Sequence, residues 1–403
     1  MNPLTVTPTD IDFSALHERM RWYVEQEILS CCMTLALRGT DLVDFQTFGY
    51  MDLETREPLR PDAIFRMHSN TKIVTSVALM MLFEEGRFGL DDPLADYLPA
   101  FADMQVLAPD ASGPGDLVAA EAPITVRQIL SHSAGLSYGF LEPLLPIDQA
   151  YIAAGVTPGE VADLTLEELC ERLGALPLAY QPGTGWRYSF ATDVAARLVE
   201  VLSGQRFDAF LRARLFDPLG MADTDFFVPA DKRERLIRLY APVDMFAPMQ
   251  GGLVPVDPAA DRVPESPPRF LSGGAGLFST AGDYLCFLRL IINGGSWQGV
   301  RLLQPETVTL MHTNQLPPGV GVNFSVWAMP DTVFGLGFAI RTAPGPGEPD
   351  SAVGEYHWGG MAGTHSWVAP GAGIAGLCMT QRLPGFWHPF SHDFKRMLYQ
   401  ALG

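Results

Sequence analysis

Residues 64–86 have the sequence IFRMHSNTKIVTSVALMMLFEEG, and this stretch decides the fold. Over residues 73–83 the chain is apolar on almost every side, which predicts a helix that is buried all round. Gly86 is suited to end this helix, because glycine readily adopts the left-handed conformation that follows a helix. Ser69 and Lys72 are three residues apart where the helix begins, so their side chains lie on one face.

Ser69 and Lys72 form a candidate pair of nucleophile and base. A helix N-terminus carries positive partial charge and burial removes water, so both effects disfavour the ammonium form of Lys72. A neutral amine beside a hydroxyl can act as its base. The tetrapeptide Ser-x-x-Lys also occurs by chance, and serine is a common N-cap. The lysine at the start of an apolar helix, where a charge is costly, favours the chemical interpretation.

The two ends of the chain carry the strand signals. Residues 12–27 have helical spacing of apolar residues. Five stretches are predicted as strands, the first two forming a hairpin: residues 31–37, 42–48, 334–341, 365–369 and 374–380. We therefore predict an α/β (α+β) fold, in which strands from opposite ends share one antiparallel sheet flanked by helices.

The middle of the chain predicts a second unit. We assign residues 1–90 and 265–403 to a discontinuous sheet domain, and residues 91–264 to a mainly helical domain with long loops. The segments 105–123 and 239–268 are rich in Pro, Gly, Ala and Asp. Loops of that length in a compact protein are usually functional or mobile, so we expect the second to border a site.

Two further motifs carry groups that acyl chemistry needs. Residues 181–190, QPGTGWRYSF, place Tyr188 between a Pro/Gly turn and a helix, where a phenol can relay a proton. A buried core tyrosine is the alternative. Residues 355–365, EYHWGGMAGTH, contain two adjacent glycines. They permit close approach of a ligand to a strand whose N–H can face an oxyanion, or they form a simple bulge or turn.

A competing motif lies at residues 135–139, GLSYG, which matches the G-x-S-x-G nucleophile elbow of α/β-hydrolases. That elbow requires an apolar strand before the serine and a helix after it. Here the preceding segment, TVRQILSHSA, is helical in pattern, and the following one begins GFLEPLLP. We therefore reject Ser137 as the nucleophile.

Composition excludes several classes of protein. The chain has 403 residues, of which 47% are hydrophobic and 18% charged, so a largely disordered chain is excluded. Its net charge of −19 repels phosphate backbones and anionic lipids, so nucleic-acid and membrane-surface roles are discounted. The five cysteines are scattered without C-x-x-C spacing, and we predict free thiols.

Metal, cofactor and membrane signals are weak. The eight histidines show no ligand spacing, and the GGAG sequence at 273–276 is too short for a dinucleotide fingerprint, so we expect no metal and no cofactor. The first residues, MNPLTVTPTDIDF, have neither a basic nor an apolar region typical of a signal peptide. Apolar runs stay short of about 18 residues. We expect a cytoplasmic location.

Taken in order, these motifs resemble the serine β-lactamase and penicillin-binding-protein superfamily, and most closely its class C β-lactamase-like esterases, the family VIII carboxylesterases. The resemblance covers roughly residues 15–400. It rests on the segment from 64 to 101 and on four later stretches: TVRQILSHSAGL, PGTGWRYS, SGGAGLFSTAGDYLCFLRLIINGG and HWGGMAGTHSWVAP. It implies a mixed α/β sandwich plus a helical domain, with the site between them.

The resemblance also implies roles for individual residues. Ser69 would be the nucleophile, Lys72 its base and Tyr188 the proton shuttle. The oxyanion hole would consist of the N–H groups of Ser69 and Met361. An idle G-x-S-x-G motif is also frequent in the family.

Two departures from the β-lactamase pattern affect the substrate. Trp358, Gly359 and Gly360 occupy the position of the β-lactamase Lys-Thr-Gly motif, so an indole replaces a lysine that would meet a substrate carboxylate. Phe190 replaces the asparagine of the Tyr-x-Asn motif, so an amide-binding side chain is missing. Each lost polar contact costs about 1.5–3 kcal/mol, roughly tenfold or more in discrimination. Both changes favour uncharged esters over β-lactams.

We therefore predict a carboxylesterase that acts on short-chain, small-molecule esters through an acyl-enzyme on Ser69, with Trp358, Phe190 and the 239–268 segment shaping the pocket. Three alternatives stay open. The same fold serves β-lactamases and D-amino-acid peptidases. It also serves acyltransferases, which share the acyl-enzyme and differ only in the acceptor. A non-catalytic binding module is less favoured, because such a module need not keep Ser69, Lys72 and Tyr188 together.

Overall fold

The computed structural model describes residues 2–257, 261–324, 329–386 and 388–402. Over these residues the α-helices are α1 Ser14–Glu25, α2 Thr71–Glu84, α3 Val126–Leu130, α4 Pro146–Ala153, α5 Leu166–Gly174, α6 Ala191–Ser203, α7 Phe207–Leu211, α8 Asp217–Leu219, α9 Ala281–Ile292, α10 Pro305–Met311 and α11 Pro389–Leu402.

The strands of the same residues are β1 Cys31–Arg38, β2 Asp41–Asp52, β3 Glu57–Pro58, β4 Ile64–Arg66, β5 Gln105–Leu107, β6 Leu117–Ala119, β7 Tyr240–Pro242, β8 Leu253–Pro255, β9 Phe278–Thr280, β10 Ser296–Trp297, β11 Val300–Arg301, β12 Thr332–Phe334, β13 Ala339–Arg341, β14 Tyr356–Gly359, β15 His365–Ala369 and β16 Ile374–Met379.

One large antiparallel sheet organises the molecule. Its order within the described chain is β12-β13-β14-β15-β16-β1-β2-β3. The central pairing joins the two ends of the sequence, with Leu35 of β1 opposite Leu377 of β16. The mixed α/β fold with an antiparallel sheet flanked by helices is therefore confirmed. The assignment of residues 1–90, 265–403 and 91–264 to separate domains stays a prediction.

The helix predicted from the apolar run forms as α2. Every residue from Thr71 to Leu82 is buried, as a helix that is apolar all round requires. Gly86 follows it with a φ of 68°, a left-handed conformation that a side chain would disfavour. This helix lies on one face of the sheet, in the larger of the apolar cores. Helices α1 and α11 cover the opposite face together with Trp367.

Two predictions about local structure are corrected. The single strand predicted over 334–341 is a hairpin of β12 and β13, because Gly335 N donates to Phe338 O (2.8 Å) and turns the chain back. The long segments 105–123 and 239–268 contain short hairpins, β5 with β6 and β7 with β8. Residues 258–260 lie outside the described residues. Among the helices described, none combines the length and apolar character needed to cross a membrane.

Candidate active site

The serine of the Ser-x-x-Lys motif lies where a 3₁₀ turn, His68–Asn70, runs directly into α2. The sheet fixes this turn from one side. Ser366 Oγ of β15 donates to Asn70 Oδ1 (3.1 Å), and Thr364 Oγ1 donates to Met67 O (3.0 Å). Ser69 is thus held between the N-terminus of a buried helix and the end of two strands.

The amine of Lys72 is buried one helical turn after the serine, with 2% of the residue exposed. Its Nζ lies 3.5 Å from Ser69 Oγ and donates to Tyr138 Oη and to Gly274 O, both at 2.8 Å. Burial lowers the pKa of Lys72 to about 7, and the charge of Asp193 opposes that shift. A sizeable fraction of this amine is therefore neutral at neutral pH, as a base must be.

Tyr188 completes the group on the other side of the serine. Its Oη donates to Ser69 Oγ at 2.7 Å and accepts from Trp358 Nε1 at 3.3 Å. Burial raises the pKa of Tyr188, so the phenol keeps its proton at neutral pH. The motif that holds Ser69 and Lys72 therefore meets the motif that holds Tyr188, which lies more than 100 residues later in the sequence.

The segment before Tyr188 is tied to the segment at 132–137 through its backbone. Gly183 N donates to Ser133 O (2.8 Å) and Arg187 N donates to His132 O (2.9 Å). The ring of His132 lies 5.1 Å from that of Tyr188. Burial lowers the pKa of His132 well below its ordinary value, so this imidazole packs as a neutral ring.

Tyr138 is a site residue that the sequence analysis missed. It lies in the GLSYG motif, accepts a hydrogen bond from Lys72 Nζ, and its ring is 5.3 Å from that of Tyr188. Its position next to Ser137 in the motif is not a signal for this role, because the role depends on a contact with Lys72, 66 residues away in the sequence.

Ser137 itself lies in a buried ionic network. Its hydroxyl donates to the Asp148 carboxylate and accepts from Arg187 Nε at 2.9 Å. Arg187 also bonds Asp148 Oδ1 (2.9 Å) and Glu142 (2.6 Å). The Ser137 hydroxyl thus links Asp148 to Arg187, the residue before Tyr188, and the serine has no solvent exposure.

The end of β14 lies against the chain that precedes Ser69. A Cβ built on Gly360 would be 2.3 Å from Met67 O, so only glycine permits this approach. Gly360 N donates to Thr364 O (2.6 Å), which fixes the turn that carries Met361. A Cβ on Gly359 would meet the Phe386 ring at 3.0 Å. The backbone of the Gly-Gly motif therefore reaches the region of the serine.

The two side chains that depart from the β-lactamase pattern are buried. Trp358 is 1% exposed, with its ring 5.3 Å from that of Tyr188, and Phe190 is 2% exposed, with its ring 4.6 Å from that of Tyr138. Phe190 thus contacts the site through Tyr138. Within the 239–268 segment, Asp261 accepts from Nε of Arg66 (2.6 Å), which lies three residues before Ser69 in the sequence. That this segment shapes the pocket stays a prediction.

Asp193 is the acidic group beside the lysine. Its Oδ1 accepts from Ser272 Oγ (2.7 Å) and Gly274 N (3.1 Å), and burial raises its pKa. Its Oδ2 is buried without a hydrogen-bond partner among the described residues. Gly274 lies between the polar groups of Asp193, Tyr138 and Lys72, where a side chain would not fit. A Cβ there would lie 2.7 Å from Asp193 Oδ2, 2.8 Å from Tyr138 Oη and 3.2 Å from Lys72 Nζ.

We expect Gly274→Ala to lower kcat/KM for an activated ester by about 10- to 100-fold, because the new methyl group displaces the partners of Lys72. Gly159→Ala is the matched control, since a Cβ at Gly159 has nothing within 4 Å. Steady-state kinetics on the two variants, with thermal melting to check the fold, tests this. Equal activities would show that Gly274 does not hold these groups in place.

The histidine, cysteine and carboxylate side chains of the described residues form no cluster arranged to hold a metal ion. The sheet, the buried helix behind it and the serine at the helix terminus define the class of β-lactamase-fold serine hydrolases. The family model described as Beta-lactamase matches residues 32–399, and the chain belongs to the beta-lactamase family.

Relatives of known activity include both hydrolases and transferases. Esterase EstB of Burkholderia gladioli is 29% identical over 399 residues, with 94% of each chain covered. Acyltransferase calJ of Penicillium decumbens is 31% identical over 371 residues, covering 87% of this chain and 84% of calJ. The solved structure of Simvastatin Synthase (LovD) from Aspergillus terreus has a TM-score of 0.79 at 26% identity, covering 97% of this chain and 98% of LovD.

Proposed function

We propose that this protein is a carboxylesterase that cleaves uncharged, short-chain, small-molecule esters through an acyl-enzyme on Ser69. The observation that carries the proposal is the meeting of Ser69 Oγ with Tyr188 Oη (2.7 Å) and Lys72 Nζ (3.5 Å). A hydroxyl flanked by an amine of lowered pKa and a protonated phenol has both the base and the acid that ester cleavage needs.

The pKa directions decide which group is the base. Lys72, with its pKa lowered to about 7, is the group with a neutral form near neutral pH, whereas Tyr188 has a raised pKa and keeps its proton. Ser69 Oγ attacks the ester carbonyl carbon as its proton passes to the Lys72 amine. Tyr188 donates its proton to the leaving alkoxide as the C–O bond breaks. The Lys72 ammonium then returns a proton to the tyrosinate, and the alcohol departs.

The second half of the reaction uses the same groups. Water attacks the acyl-enzyme while the relay of Lys72 and Tyr188 takes its proton, and Ser69 recovers that proton as the acid is released. We assign the oxyanion hole to the N–H groups of Ser69 and Met361. In support, Gly360 brings the end of β14 against the backbone at Met67, two residues before the serine.

The substrate class rests on what surrounds the serine. Trp358 donates its indole N–H to Tyr188, so the side chain in the β-lactamase lysine position supports the phenol and offers no charge to a substrate carboxylate. Phe190 packs on Tyr138 and offers no amide. An uncharged ester needs neither contact. The relative named as an esterase, EstB, supports the same assignment.

We expect kcat/KM for p-nitrophenyl butyrate to exceed that for a chromogenic cephalosporin by more than about 100-fold, because two polar contacts to the charged substrate are missing and each is worth roughly tenfold or more. Both rates are measured on one wild-type preparation. Comparable turnover of the cephalosporin would contradict the substrate argument and leave the Ser69 mechanism standing.

Acyl transfer to an alcohol is the second candidate function, favoured by the 31% identity to acyltransferase calJ. Hydrolase and transferase share the acyl-enzyme and differ in the nucleophile that resolves it. Product analysis with an activated ester and a competing alcohol in water separates them. A free acid as the main product supports the esterase, and a new ester as the main product supports the transferase.

We also propose a cytoplasmic location, without a nucleic-acid or membrane partner. All five cysteines are free and buried, a state that a reducing compartment maintains. The net charge of −19 disfavours binding to phosphate backbones and anionic lipid.

A further inference from the structure

A cavity of about 350 Å³ lies beside the large sheet. It is bounded by Arg341 of β13, His357 of β14, His365 of β15, and by α11, and Phe386, whose ring is 5.4 Å from that of Trp358, also lines it. Strand register places the His357 side chain on the face of the sheet opposite the candidate active site. His357 is paired with Trp367, which packs under α1 and α11, whereas the alternate residue Trp358 contacts Tyr188.

The imidazole rings of His357 and His365 line this cavity side by side. His365 Nε2 and His357 Nδ1 share a hydrogen bond of 3.3 Å, and both residues are more than nine-tenths buried. His365 Nδ1 is buried and finds no partner among the described residues. When the pair is neutral, its two outer nitrogens comprise one donor and one acceptor. When the pair gains a proton, both outer nitrogens become donors.

The charges around the cavity leave a surplus cation. Lys395 Nζ bonds Glu348 (3.0 Å) and Glu355 (2.9 Å), so it is fully matched. Asp393 is shared by Arg396 (2.9 Å) and Arg19 (2.6 Å).

The guanidinium of Arg341 is the least satisfied of these cations. It donates to Ala343 O at 3.2–3.3 Å and approaches Glu348 only to 3.8 Å. The charged side chains that line the cavity and their ion-pair partners together comprise four cations (Arg19, Arg341, Lys395 and Arg396) and three carboxylates (Glu348, Glu355 and Asp393) among the described residues.

We infer that this cavity binds a small carboxylate, held between the Arg341 guanidinium and the His357–His365 pair. A planar guanidinium and an imidazole donor match the two oxygens of a carboxylate. One surplus positive charge fits a singly charged anion better than a phosphate dianion. The volume is at the lower end of the range for small-molecule sites.

Binding of such an anion is coupled to a proton. Burial lowers the pKa of both His357 and His365 well below the ordinary value, and the charges of Arg341 and Lys395 add to that shift for His357. His392 of α11, which also lines the cavity, and Lys395 likewise lower the pKa of His365. Glu348 and Glu355 form ion pairs with Lys395 and offset its positive charge. A bound carboxylate favours the protonated pair, so affinity rises as pH falls.

Calorimetric titration of the full chain tests the site, with sodium butyrate at pH about 5.5 and about 8, and with inorganic phosphate at pH about 8, where it is mainly a dianion. We expect saturable butyrate binding that is tighter at the lower pH, and weaker or no binding of phosphate. Arg341→Gln should weaken butyrate binding at least about tenfold. Arg87→Gln, at a side chain 57% exposed, is the matched control and should bind as the wild type does. His365→Phe provides a second variant if Arg341→Gln does not fold, and it should also abolish the pH dependence.

Three outcomes would overturn the inference: no saturable butyrate binding, binding of phosphate in preference to butyrate, or butyrate binding that both variants retain. Loss of binding after a phosphonate has blocked Ser69 would place the butyrate in the catalytic site and would also overturn it. The butyrate titration needs no turnover, so an inactive enzyme that binds butyrate and loses that binding in the Arg341 variant would contradict the proposed esterase activity and leave this inference standing.

Discussion

Replacing Ser69 with alanine should abolish ester turnover, lowering kcat on the order of 10⁴-fold or more, because no acyl-enzyme can form without the hydroxyl. The fold should survive, since Ser69 is a partly buried residue at a helix terminus and its shortest side-chain hydrogen bond is to Tyr188. Hydrolysis of p-nitrophenyl butyrate by purified variant and wild type, with thermal melting in parallel, measures the effect.

Ser137→Ala is the matched control, because it removes the hydroxyl of the competing G-x-S-x-G motif. That hydroxyl contacts Asp148 and Arg187, so its loss should lower thermal stability and leave substantial turnover. If Ser137→Ala were inactive while folded, and Ser69→Ala active, the nucleophile would have been assigned to the wrong serine.

The second large effect concerns Lys72. Lys72→Met should lower kcat/KM by about 10²- to 10⁴-fold, the usual contribution of a general base. In the wild type, kcat/KM should rise with pH through about 7 and then level off, because the neutral amine is the active form and its pKa is lowered to about 7. A pH profile of kcat/KM for an uncharged ester measures this limb.

The charge of Asp193 affects the pH at which kcat/KM rises, because it raises the pKa of Lys72. Its negative charge raises the pKa of Lys72, so removing the charge should lower that pKa further and move the rising limb to lower pH. Asp193→Asn keeps an oxygen for Ser272 and Gly274. A limb that moved to higher pH, or did not move, would show that another group controls the profile.

The sheet and the buried helix could be predicted from the sequence because each consists of continuous apolar runs. The run at 73–83 predicts α2, and the apolar runs near both termini predict that strands from opposite ends share one sheet, as β1 and β16 do. The hairpin of β12 and β13 could not be predicted, because FGLGFAIR is equally apolar as one strand or as two. The turn is decided by a backbone hydrogen bond at Gly335.

The candidate site was predictable where the chemistry has a local spacing, as for Ser69 and Lys72. Tyr188 required a motif whose partners lie more than 100 residues away. Tyr138 was missed because its role depends on a contact with Lys72 made only in three dimensions. The same holds for Gly274, where a missing side chain makes room for three polar groups. No sequence pattern marks such a gap.

Intact-protein mass spectrometry after treatment with an activated alkyl phosphonate tests the central proposal most directly. We expect one stoichiometric adduct that peptide mapping places on Ser69 and that is absent from Ser69→Ala. Its rate of formation should rise with pH through about 7, with the neutral form of Lys72. An adduct on Ser137, or a folded protein that no phosphonate or activated ester modifies, would contradict the account.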